Sequence, residues 1–136
     1  MKPLDSLAKR DLLAAKKFDA DTVRQYAEDF FAQERFGDAV EFYWKIHDRE
    51  GLSKVKEAVI RQGDVEVLWR IEHRDPAMVS RSEWIACGQS AMEMKKYRAA
   101  VYAFQRAGDE ERLAAARNAI SPSSAPPEQP PAPAQR

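Results

Sequence analysis

The sequence predicts an all-α protein of paired antiparallel helices. Three observations carry this. Apolar residues recur at a 3.6-residue period along most of the chain. Gly-Asp occurs three times, at Gly37-Asp38, Gly63-Asp64 and Gly108-Asp109. In each pair glycine suits the left-handed end of one helix, and aspartate accepts from the free amides that begin the next. The chain also matches itself at an offset of about 61 residues. Alternating Val/Ile/Thr runs are missing apart from Val65-Glu66-Val67, which continues into a helical spacing.

The first helix is expected over residues 4–17, with Leu4, Leu7, Ala8, Leu12 and Ala15 on one face. The second spans 21–35, with Val23, Tyr26, Ala27, Phe30 and Phe31. The third covers 38–48 through Ala39, Val40, Tyr43 and Ile46, with Phe42 and Trp44 on its flanks. Residues 52–62 form the fourth, on Leu52, Val55, Ala58 and Val59. A fifth runs over 64–73 on Val65, Leu68, Trp69 and Ile71; Asp75-Pro76 then breaks the chain, because proline disfavours helix in the residue before it. Ser80 and Glu83 form a capping box ahead of a sixth helix over 81–95, carrying Trp84, Cys87, Gly88, Ala91 and Met92. The seventh covers 97–107 on Ala100, Val101, Phe104 and Ala107, and the eighth covers 109–120 on Leu113, Ala116 and Ile120.

Composition changes at Ser121. Residues 121–136 hold six of the eight prolines and no large apolar residue, too little to offset ordering entropy. The expected organisation is a helical-repeat domain over 1–120 and a disordered Pro/Ala/Ser-rich tail over 121–136. Pro127-x-x-Pro130 and Pro130-x-x-Pro133 have the spacing that docks aromatic grooves. With no basic residue at the usual flank, a spacer is the plainer reading.

The 22 basic and 22 acidic residues cancel, and neither half is dominated by one sign. No general pull on nucleic acid or an acidic membrane is expected. Cys87 is the only cysteine, which rules out an internal disulfide and makes a cysteine-based metal site implausible. No leader-like apolar run opens the chain, and nothing approaches the ~18–20 apolar residues of a spanning helix. These features together predict a cytoplasmic protein.

At the 61-residue offset, Phe36 falls on Tyr97, Ala39 on Ala100, Val40 on Val101 and Tyr43 on Phe104. Farther on, Leu52 falls on Leu113, Ala58 on Ala119 and Val59 on Ile120. Small meets small and large meets large, as shared packing roles require. Trp84, Cys87-Gly88 and Ala91, followed by Ala100, Phe104 and Ala107, have the spacings of the tetratricopeptide repeat, and Val23, Tyr26-Ala27, Phe30, Ala39, Tyr43 and Ile46 repeat them. The chain therefore resembles that family over residues 20–48 and 81–108. Residues 52–73 match poorly, and the family's helix-breaking proline is absent from both units. The resemblance implies antiparallel hairpins stacked as a short TPR-like right-handed solenoid.

Little in the sequence has the pattern of a catalyst. His47 and His73 end helices, where a cation suits the dipole. Cys87 holds a small position on an apolar face. Asp109-Glu110-Glu111 crowds a helix start. No His-Glu-x-x-His, Gly-x-Gly-x-x-Gly or nucleotide-loop spacing occurs. No catalytic residue, cofactor or metal is expected, and binding is the predicted activity.

The resemblance also implies where. First helices of such repeats line a concave groove, which places Arg24, Glu28 and Phe31 from one unit and Ile85, Gln89 and Met92 from the other on it, with Lys54 and Arg61 between them. Phe31, Ile85 and Met92 beside Arg24 and Arg61 suit an extended or helical peptide with apolar anchors. Chaperone-binding members clamp a carboxylate with Lys and Asn. Arg24 and Glu28, or Ile85 and Gln89, stand there instead, so the likeness does not extend to that clamp. The expected role is a protein–protein adaptor or assembly factor. A structural, self-associating subunit of a larger complex is the alternative, since the aromatics exceed what one strip of core needs. A helical-repeat RNA binder is a third reading, against which the zero net charge weighs.

Overall fold

The structure, a computed structural model, describes residues 4–122. Among these there are eight α-helices and no strand: α1 (Ser6–Ala14), α2 (Ala20–Ala32), α3 (Phe36–Lys45), α4 (Arg49–Gln62), α5 (Val65–Arg74), α6 (Arg81–Glu93), α7 (Tyr97–Ala107) and α8 (Glu110–Ile120). A 3₁₀ turn (Pro76–Met78) links α5 to α6. The expected tail falls almost wholly outside the described residues.

Local chemistry sets the helix starts. Asp5, Asp19, Asp48, Asp64 and Asp109 each accept from a backbone amide of the first turn. Ser80 and Glu83 form the expected capping box. Two joints are glycines at positive φ, Gly63 (65°) and Gly108 (69°). The Gly37-Asp38 joint is corrected: both residues lie in the first turn of α3. The chain reverses instead at Glu34, whose φ is 59°, and Asp38 accepts from Lys9 at 2.7 Å rather than capping. His47 likewise lies outside α3, in a left-handed joint (φ 53°), because Asp48 already caps α4. The first helix is shorter than expected, and none of its residues is fully buried.

The repeat is visible in the backbone. Helices α2, α3 and α4 begin at Ala20, Phe36 and Arg49; α6, α7 and α8 begin 61 residues later at Arg81, Tyr97 and Glu110. The left-handed joints at Glu34 and His47 recur at Lys95 and Gly108. Neither α3 nor α7 has a side-chain cap. Ala39 and Ala100 are both fully buried, as are the rings of Tyr43 and Phe104.

Packing follows chain order. Helix α2 lies on α3, and α3 also meets α1, α4 and α5. Helix α4 meets α5 and α6, while α7 packs on α5, α6 and α8. One core joins Val23, Phe30, Phe42, Leu52, Leu68 and Trp84; a smaller one joins Ala91, Ala100, Phe104, Leu113 and Ala116. Adjacent Phe42 and Tyr43 are both buried because α3 has neighbours on several sides. Burying such side chains supplies the dominant favourable term, roughly 1.5–3 kcal/mol each. Helix α1 is tied on by polar contacts as well: Lys45 Nζ donates to the carbonyls of Leu13 and Ala15 at 2.9 and 2.7 Å.

Candidate protein-interaction surfaces

The expected groove residues fall into two groups. On the α2/α4 side, Phe31 is half-buried against Phe36 (centroids 5.4 Å apart). Lys54 Nζ stands 4.6 Å over the Phe31 ring, a cation–π contact joining two helices. Arg24 is held by Asp21 at 3.2 Å and by Asp48 at 3.3 Å. Asp48 also accepts from the Gly51 amide at 3.0 Å, so Arg24 fastens α2 to the start of α4. Glu28 and Arg61 are exposed.

On the α6 side, Gln89 and Met92 line an open cavity of about 450 Å³ with Glu93, Phe104, Arg112 and Ala115. Ile85 differs: it is half-buried and packs against both cores, which makes it a seam between them. Tyr43 of the first unit lies against Gly51 of α4, where a Cβ would come within 2.2 Å of Tyr43 Cδ1. Arg112 occupies the equivalent position of the second unit. Phe104 lies against Gly88 of α6, where a Cβ would come within 2.5 Å of Phe104 Cε1. Arg112 is turned back onto Asp109, whose carboxyl is held below its ordinary range by the backbone and side-chain bonds from Arg112.

A third surface was not legible in the sequence. Trp69, expected on the core face of α5, is 41% exposed; the buried face is Val67, Leu68 and Ile71. Trp69 stacks on His73 at 4.9 Å and, with Val65, Glu66 and Tyr102, bounds a largely apolar hollow of about 280 Å³. The i, i+4 spacing of Val65, Trp69 and His73 was the available signal. Beneath it, Trp84 Nε1–H donates to Glu72 at 3.0 Å and Arg106 pairs with the same carboxylate.

Cys87 is buried, and desolvation pushes its thiol up to about 12. A thiol that stays protonated is a packing group, not a nucleophile. His47 meets Trp44 edge-on at 5.8 Å. Among the described residues, no three His, Cys, Asp or Glu converge as a metal site, and no helix is long and apolar enough to cross a membrane. No protein-family model, curated protein or solved structure matches the chain.

Proposed function

We propose that the protein is a cytoplasmic protein-interaction module, an adaptor or assembly factor. In this reading α2–α7 form three TPR-like helix pairs stacked in a short right-handed solenoid, closed by α8. The first helices of the pairs, α2, α4 and α6, present a groove to a partner peptide or helix. The observation that carries this is the open cavity beside Met92 and Phe104. Its walls suit an apolar anchor: Met92 is a flexible thioether, and the buried Phe104 ring is part of the lining. Glu93 and Arg112 on its border orient a polar backbone. Phe31 with Lys54 above it supplies a second contact on the neighbouring helices. The test is affinity capture from native extract with the wild-type chain and with Met92→Lys, the thermal midpoint being followed by circular dichroism. A specific species retained by the wild type and lost by the folded variant supports the groove. Identical retained sets refute it.

A second reading, self-association as a structural subunit, is favoured by one observation, the exposed indole of Trp69 beside Tyr102. Sedimentation across a concentration series separates the two, since a monomer at every concentration removes the second.

A further inference from the structure

The 61-residue repeat makes the first unit a template for the second. In the first unit, α5 covers the end of the α3/α4 pair. Val67, Leu68 and Ile71 of α5 share one core with Phe36, Ala58 and Val59. The guanidinium of Arg70 lies over Gly37, with Nη1 3.2 Å from where a Cβ would stand. Phe36, Ala58 and Val59 are consequently almost fully buried, at 6%, 6% and 0% exposure.

The equivalent face of the second unit has no covering helix among the described residues. Tyr97, Ala119 and Ile120 correspond to Phe36, Ala58 and Val59. Here Ile120 is 39% exposed, and Tyr97 and Ala119 are half-buried. Together with Lys95, Lys96 and Arg98 they surround an open hollow of about 670 Å³. Residues 126–135, which follow α8 at the distance at which α5 follows α4, hold five prolines and no Val, Ile, Leu, Met or aromatic residue. The sequence offers no copy of α5 at that place.

The two faces differ in charge as well as in cover. Where the first unit has Glu34, Arg35, Gly37 and Asp38, the second has Lys95, Lys96, Arg98 and Ala99. Mixed charge has become a basic rim. Lys96 donates to the Gln62 carbonyl at 2.8 Å; Lys95 and Arg98 have no ion-pair partner among the described residues. An α5-like helix carrying arginine at the place of Arg70 would meet Arg98 there, like charge on like. A carboxylate at that place would meet it favourably.

We propose that the face formed by Tyr97, Arg98, Ala119 and Ile120 docks an acidic amphipathic helix of another protein. That helix presents apolar residues at the spacing of Val67, Leu68 and Ile71, and a carboxylate in place of Arg70. The surface is separate from the groove on α2, α4 and α6, and the two stand or fall independently.

The experiment titrates the full chain with two labelled synthetic peptides of residues 64–75, stapled on their exposed side to hold a helix. One has the native sequence and the other carries Arg70→Glu; binding is read by fluorescence anisotropy. The Arg70→Glu peptide binds saturably and about fivefold tighter than the native peptide, the scale of one well-placed surface ion pair. Its affinity falls with added salt. Arg98→Glu in the protein reverses the preference, and Ile120→Asp abolishes binding of both peptides while circular dichroism shows the fold intact. Failure of either peptide to saturate, or binding indifferent to Arg98→Glu and Ile120→Asp, overturns the proposal. So does concentration-dependent self-association of the unliganded chain that these two substitutions abolish, because the occupant is then a second copy.

Discussion

Replacing Gly88 by alanine sets two opposing effects against each other at the centre of the second unit. The new methyl would stand 2.5 Å from Phe104 Cε1 and 2.8 Å from Cδ1 and Cζ, where carbon atoms settle at about 3.5–4.0 Å. The ring must move by about 1 Å, and overpacking of this kind costs about 1–3 kcal/mol. Alanine returns up to about 1 kcal/mol of helix propensity over glycine inside α6. The cavity that Phe104 lines gives the ring somewhere to go, which keeps the penalty at about 2 kcal/mol rather than at the top of that range. The expected outcome is a loss of about 1 kcal/mol in urea unfolding followed by tryptophan fluorescence and circular dichroism. In a Phe104→Leu background the cost of Gly88→Ala falls by half or more, because the pair is in contact and its effects do not add. The displaced ring also occupies the proposed anchor cavity, so partner capture weakens although the protein stays folded. A stabilisation of about 1 kcal/mol, as propensity alone demands, would refute the packing account. The same cost with and without the Phe104 ring would refute it equally.

Two further outcomes follow from buried and paired polar groups. The Tyr43 hydroxyl is buried with no hydrogen-bond partner among the described residues, so Tyr43→Phe is expected to be neutral or stabilising by up to about 1 kcal/mol; a clear destabilisation in the same urea assay would point to a bond the hydroxyl makes. Burial alone would raise the Glu83 carboxyl, but the bond from Lys56 at 2.9 Å and those from Ser80 outweigh it and hold it below its ordinary value of 4.5. A depressed carboxyl contributes stability that is complete above the unfolded value and lost as pH falls through the folded one. Wild type therefore loses stability more steeply than Glu83→Gln below about pH 4.5, by at most about 1 kcal/mol for a partly exposed pair, and parallel urea midpoints across that range would show that the pair contributes nothing.

The order of eight helices was legible because its determinants are local. Period, caps and breakers lie within a few residues of one another, and Asp64, Ser80 and Asp109 each mark a helix start; Asp48, expected to end the third helix, caps α4 instead. The repeat was legible too, since it compares the chain with itself. Three joints were not. Glu34, His47 and Lys95 take left-handed backbone without glycine, and a sequence reading assigns that conformation to glycine because other residues enter it at a cost of roughly 1–2 kcal/mol. The packed helices on either side impose it here.

The candidate surfaces divide in the same way. The family resemblance placed Gln89 and Met92 on the groove side of the sixth helix, and they border a cavity; it also put Phe31 and Lys54 on neighbouring helices. Periodicity put Trp69 on the buried face, and the structure leaves it exposed; Ile85, which the resemblance put in the groove, is half-buried against both cores. One apolar stripe on a helix does not say which of two flanking helices will cover it. Gly51 and Arg112 are equivalent in sequence, yet the first lies against the Tyr43 ring and the second borders an open cavity. Val59 and Ile120 are equivalent, yet one is sealed by α5 and the other lies open. The 136 residues alone determined the helices, their joints at Gly63 and Gly108, and the interval between the two units. Tertiary structure decided which side chains became surface, because exposure depends on the neighbour that covers a face and not on the face itself.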